Sequence, residues 1–136
     1  MPAGYSGTPL AKKLGIKEGM RVIALNAPDA YESWLEGLPA TASISDRMAP
    51  PVAAVHLFET RRSSLAKTLK SLRSRLQVDG FVWVSWPKRT SGMKTDITED
   101  VIREVALPLG FVDVKVCAVT DTWSGLKLVI RRSERK

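Results

Sequence analysis

The chain has 136 residues and a mass of 15.0 kDa, with 44% hydrophobic and 26% charged residues. This is one domain's worth of sequence, rich enough in apolar residues to build one core, and it excludes disorder over the whole length. No apolar run approaches the roughly 18 residues that span a bilayer, and Met1 to Tyr5 lacks the layout of a signal peptide, so the expected compartment is the cytoplasm. Cys117 and His56 are the only residues of their kinds, which excludes an internal disulfide and any metal site needing two histidines or several thiolates. The net charge of +7 is concentrated. Residues 61–94 carry nine basic side chains and one acidic, against five and six in residues 1–60 and seven of each in residues 95–136.

Gly4 to Pro9 is turn-rich, an irregular opening. Thr8 before Pro9 suits an N-cap with proline at the first helical position, and the helix is expected to run from Leu10 to Leu14 and stop at Gly15. Arg21–Leu25 has the pattern of a short buried strand. Asn26 to Asp29 breaks it. Tyr31, Trp34, Leu35 and Leu38, at spacings of three and four, predict a helix over residues 30–38. Residues 42–45 are read as a short strand within an irregular stretch, and residues 52–58 as a clear apolar strand. Leu65, Leu69, Leu72 and Leu76 form one stripe of a helix over 60–77, with Lys67 and Lys70 on the opposite side.

Asp79-Gly80 is expected to turn into a strand over 81–86, ended by Pro87. Lys88 to Lys94 is a polar loop. Asp96 and Thr98 are both suited to cap a helix that ends near Leu107, closed by Pro108 and Gly110. Two strands follow, over 111–119 and 126–132, and residues 133–136 are a charged tail. Strands alternating with helices argue for a single α/β domain: Rossmann-like, mostly parallel, with helices on both faces. The last two strands are separated by too few residues for a parallel crossover and form an antiparallel C-terminal hairpin.

A mostly parallel sheet closed by such a hairpin resembles the class I S-adenosylmethionine methyltransferase fold, and residues 14–23 (LGIKEGMRVI) look like the lead-in to its first strand. In those enzymes an acidic residue and a glycine-rich turn that cradles the cofactor follow. Here Ala24 stands at the acidic position, the turn reads Asn26-Ala27-Pro28-Asp29-Ala30, and Pro28 lacks an amide donor. About one strand-helix unit is also missing between residues 46 and 51. A closer likeness runs over most of the chain. Residues 4–10 (GYSGTPL), 83–88 (WVSWPK), 95–99 (TDITE), 116–119 (VCAV) and 122–127 (TWSGLK) resemble a small bacterial domain-of-unknown-function family. That resemblance implies a bacterial cytosolic protein and carries over no reaction, no cofactor and no catalytic residue.

In open parallel sheets ligands bind beyond the carboxyl ends of the strands. That rim should gather Asn26, Trp86, Lys88, Arg89, Ser91, Thr122, Trp123 and Ser124, with Tyr5 and Ser6 folded over it. Such a set suits an anionic or planar ligand, while the plainer reading makes Trp86 and Trp123 core plugs. Asp46, 20 residues after Asn26, stands where an acid holds a ribose in related folds, or is simply a turn residue. His56, inside an apolar strand, is a general base or a buried structural histidine. Cys117 reads as a small buried hydrophobe. Arg61, Arg62, Lys67, Lys70 and Arg73 would present a polyanion-binding helix face or a solvated one. No nucleic-acid-binding signature accompanies them.

Three functions remain open. The first is a non-catalytic binding or interaction module on a degenerate methyltransferase-like scaffold, without methyltransferase activity. The second is a small enzyme acting on an anionic small molecule at the rim. The third is a nucleic-acid-associated protein. No partner is identified: an anionic small molecule or a protein is expected ahead of nucleic acid, with no membrane involved.

Overall fold

The computed structural model describes residues 8–135. It holds helices α1 (Leu10–Leu14), α2 (Arg62–Arg75) and α3 (Glu99–Ala106), and strands β1 (Arg21–Leu25), β2 (Ser43–Ser45), β3 (Val52–Phe58), β4 (Leu76–Pro87), β5 (Phe111–Ala118) and β6 (Trp123–Ile130). The strands form one sheet in the order β2-β1-β3-β4-β6-β5. The first four are parallel, β6 runs antiparallel to β4, and β5 runs antiparallel to β6. The expected α/β architecture with its antiparallel closing hairpin is therefore the observed one.

Alternation along the strands feeds two apolar layers. On one face Val55, Leu57, Val82, Val84, Leu126 and Leu128 pack beneath Leu65, Leu69 and Leu72 of α2 and Ile102 of α3. On the other, Val22, Ala54, Phe58, Phe81 and Trp83 pack beneath Ala11 and Leu14 of α1 and beneath Tyr31 and Leu35. Trp83 also donates its indole N–H to Leu14 O at 2.8 Å, tying the end of α1 to the middle of the sheet. Gly15 ends α1 at φ +80°, in the left-handed region that a helix C-terminus favours.

Several expected details change. Pro9, not Thr8, is the N-cap of α1, and no side chain caps that helix. The helix expected over 30–38 shrinks to one 3₁₀ turn, Tyr31–Trp34. Its continuation is redirected by tertiary contact: Glu36 O accepts from Ala11 N, and Gly37 turns at φ +80° with no room for a Cβ beside Pro9. Asp79-Gly80 is not a turn between elements but an irregular stretch inside β4, which begins at Leu76 paired with Val52. A Cβ on Gly80 would lie 2.7 Å from Ala53 O, so glycine admits the close approach of β4 to β3. The last strand starts at Trp123, three residues earlier than its apolar run, because Thr120 Oγ1 accepts from the amides of Thr122 and Trp123 and tightens the hairpin. Of the two suggested caps for α3, Thr98 takes the role, accepting from Val101 N.

The connection from β2 to β3 is the six-residue segment 46–51. It crosses beneath the start of β1, where the Arg21 guanidinium donates to Ala49 O and Pro51 O. No strand or helix intervenes, as the missing strand-helix unit in the sequence implied.

Candidate functional site

β1 sits between β2 and β3, so the chain leaves β1 to one side and returns on the other, and a crevice opens at the carboxyl ends of β1 and β3. Asn26, the first residue after β1, lies there with φ +59°. Its side-chain amide donates to Phe58 O at 3.3 Å and to Glu59 Oε2 at 3.4 Å, bridging the ends of the two strands.

On the α2 side of Asn26 the crevice holds about 610 Å³, lined by Phe58, Glu59, Thr60, Ser63, Ser64, Lys67, Thr68 and Trp123. Glu59 is the central charge. It is 8% exposed. Burial raises its pKa, and a hydrogen bond with Thr68 offsets this in part. On the β2 side a second lobe of about 600 Å³ is lined by Ala24, Ala27 to Asp29, Tyr31, Glu32 and Ile44 to Arg47, with Asn26 at its border as well. Asp46 therefore faces the loop that follows β1.

Beneath the crevice lies a buried polar chain. Tyr31 Oη and His56 Nδ1 are 2.8 Å apart, as are His56 Nε2 and Ser85 Oγ. All three residues are buried. In the neutral imidazole one ring nitrogen donates and the other accepts, so both find a hydroxyl partner here. Burial lowers the imidazole pKa to about 3 and raises that of the Tyr31 phenol. The ring stacks on Phe58 at 4.4 Å, and Phe58 meets Trp123 edge-on at 5.0 Å. His56 is thus a neutral, fully partnered core residue, set back from the crevice behind Phe58.

The rim residues expected from sequence divide. Asn26 and Trp123 line the crevice. Trp86 points to the opposite face, into the layer under α2 and α3, because Val84 and Trp86 share one side of β4 and Ser85 the other. Lys88 is joined to the hairpin through its amide, which donates to Thr122 O at 2.7 Å. Arg89 and Ser91 form a short 3₁₀ turn beyond β4, and Ser124 pairs with Trp86 across the β4–β6 ladder. Tyr5 and Ser6 lie outside the described residues. Among the polyanion candidates, Lys67 lines the crevice. Arg62 and Arg73 are instead paired with Glu104 (2.8 Å) and Glu134 (3.6 Å). Arg61 holds the N-cap of α2 and Lys70 is exposed. Cys117 is half-buried on the outer strand β5. No expectation from sequence gave Glu59 a role. A lone acid at a strand end carries no periodic signal, and only the fold shows it buried beside Asn26.

The residues do not fit S-adenosylmethionine. Where a glycine-rich turn would bring backbone amides to the cofactor, Asn26 places a side chain across the strand ends, and Pro28 has no amide. The amides of Tyr31 and Ser33 are already bonded to Pro28 O and Ala30 O. Asp46 lines the second lobe together with Asp29 and Glu32. Among the described residues, no group of three His, Cys, Asp or Glu side chains is placed to hold a metal, and no helix is long and apolar enough to cross a membrane.

No family model matches the chain, and no curated protein matches it. Solved structures do. A putative type 11 methyltransferase from Sulfolobus solfataricus is similar with a TM-score of 0.62 and 14% identity, over 93% of this chain and 92% of that one. A SAM-dependent methyltransferase from Aquifex aeolicus matches at 0.62 and 14%, over 89% and 87%. A putative methyltransferase from Thermoplasma acidophilum matches at 0.56 and 8%, over 95% and 77%. With identities this low, the likeness establishes architecture and nothing of chemistry. The chain has the Rossmann-like fold of the class I S-adenosylmethionine-dependent methyltransferases.

Proposed function

We propose that this chain is a non-catalytic binding module on a methyltransferase-like scaffold, taking its ligand or partner at the crevice between β1 and β3 and transferring no methyl group. One observation carries the reading. The Asn26 side chain is tied to Phe58 O and Glu59 Oε2 in the place a cofactor turn must keep open. Titration of the purified chain with S-adenosylmethionine and S-adenosylhomocysteine, followed by calorimetry and thermal unfolding, tests it. Neither compound is expected to bind at 1 mM. A cofactor present at 100 times its dissociation constant would add about 2.7 kcal/mol of stability, so binding would be plain. Such a shift, or transfer of a labelled methyl group to any acceptor, would overturn the proposal.

The alternative of a small enzyme acting on an anionic molecule is supported by one feature, the buried Glu59 carboxyl facing Lys67 across the same crevice. An activity lost in Glu59→Gln with unchanged folding would favour it. The nucleic-acid reading draws less support from α2, since Arg62 and Arg73 are already committed to acidic partners.

A further inference from the structure

The second face of the sheet, away from α2, carries a basic cluster assembled from three remote segments. Lys12 and Lys13 come from α1, Lys17 from the turn after it, Lys115 from β5 and Lys127 from β6. Lys115 and Lys127 are directly opposed in the β5–β6 ladder, a pairing of like charges that costs stability. Lys127 is half-buried, with its ammonium 4.6 Å from the centre of the Phe81 ring. Its pKa is lowered, first by burial and then by repulsion from Lys115 and Lys17.

The ion pairs of the described residues involve Arg62, Arg73 and Arg103, and none involves Lys12, Lys17, Lys115 or Lys127. Beside the cluster, between α1 and the outer strand, a crevice of about 510 Å³ is lined by Thr8, Lys12, Lys13, Lys115, Val116, Cys117 and Ala118, with no carboxylate among them.

We propose that this crevice is a binding site for a small organic di- or triphosphate, separate from the crevice between β1 and β3. The phosphates lie against Lys12 and Lys115, with Lys17 and Lys127 adding field from behind, and the organic part of the ligand lies over Cys117, which shares the face of Lys115. A compact ligand fits better than an extended chain. Lys12 and Lys115 meet at one crevice at the sheet edge, whereas a nucleic-acid strand would need charges spread along a track. The bound phosphates would relieve the repulsion that the Lys115–Lys127 pairing builds in.

The test is calorimetric titration of the full chain with ATP and, separately, with inorganic triphosphate, at 50 and 200 mM salt. Both are expected to bind, more weakly at the higher salt, and ATP more tightly by virtue of its apolar base. The double variant Lys12→Gln/Lys115→Gln should weaken both by at least about tenfold, since each lysine supplies a charge-assisted contact, while its unfolding midpoint is unchanged or raised. A control of equal charge loss, Arg75→Gln/Arg132→Gln, should bind as the parent does. Three results would overturn the proposal: no binding of either probe at 50 mM salt, equal weakening in the control variant, or tighter binding of a twenty-nucleotide single strand than of ATP. The last would assign the face to nucleic acid.

Discussion

His56 should make the protein acid-labile in a way that one substitution can isolate. In the unfolded chain an imidazole takes up a proton below about pH 6.5. In the native core, where burial disfavours the charged form, it does so only near pH 3. Between these values the unfolded state binds one proton more than the native state, so stability falls as pH falls, by about 1.4 kcal/mol per unit. From pH 6.5 to 5 that amounts to about 2 kcal/mol, a large share of the 5–15 kcal/mol typical of a domain. Glu59 acts in the opposite sense from about pH 4.5 upward, because its raised pKa makes the native state bind more protons there. The parent's pH profile is therefore composite. The difference between the parent and His56→Leu cancels Glu59 and leaves the imidazole alone, as His56 is the only histidine. Urea unfolding followed by tryptophan fluorescence at pH 7, 6 and 5 supplies the numbers. The offset between the two proteins reports lost hydrogen bonds and packing, and only its slope with pH reports the proton. A difference that stays constant from pH 7 to 5 would refute the neutral, buried imidazole.

Other perturbations follow from particular contacts. Tyr31→Phe leaves His56 Nδ1 buried without a hydrogen-bond partner and should cost about 1–3 kcal/mol, read as a lower urea midpoint with an unchanged slope. Gly80→Ala drives a methyl group into Ala53 O and should destabilise by a similar 1–3 kcal/mol, roughly the cost of overpacking. In Trp83→Phe the indole bond to Leu14 O is lost. Its expected signature is faster hydrogen exchange in α1 before any change in the central strands. Asn26→Gly relieves a left-handed backbone but breaks the bridge to β3, so stability should move by less than about 1 kcal/mol while binding of S-adenosylhomocysteine stays undetectable. Recovery of that binding would mean the Asn26 side chain alone was the obstacle.

The sheet was legible because its strands are short apolar runs bounded by Gly, Pro and Asn, and the leucine stripe of α2 has the period of a helix. Boundaries slipped where distant residues decide them. The 30–38 segment has helical spacing, yet Pro9 and Ala11 capture its second half, a contact no local pattern announces. The site was legible only in outline. Asn26 and Trp123 do line the crevice, but the side on which a strand residue faces depends on register, and one position of register separates Ser85 in the polar chain from Trp86 in the opposite core. The lysine cluster escaped notice because charge counted along the chain drew attention to residues 61–94. Lys12, Lys115 and Lys127 meet only once the sheet is folded.

The six-residue link between β2 and β3 also sets an order of opening. β2 contributes three residues, pairs on one side only, and is followed by a strap held by the Arg21 guanidinium. β3, β4 and β6 lie inside the sheet, covered on both faces. Amide protons of β2 and of the 46–51 strap should therefore exchange first and those of β3 and β4 last, so that the β2 edge peels away as a unit while the rest of the sheet is still native.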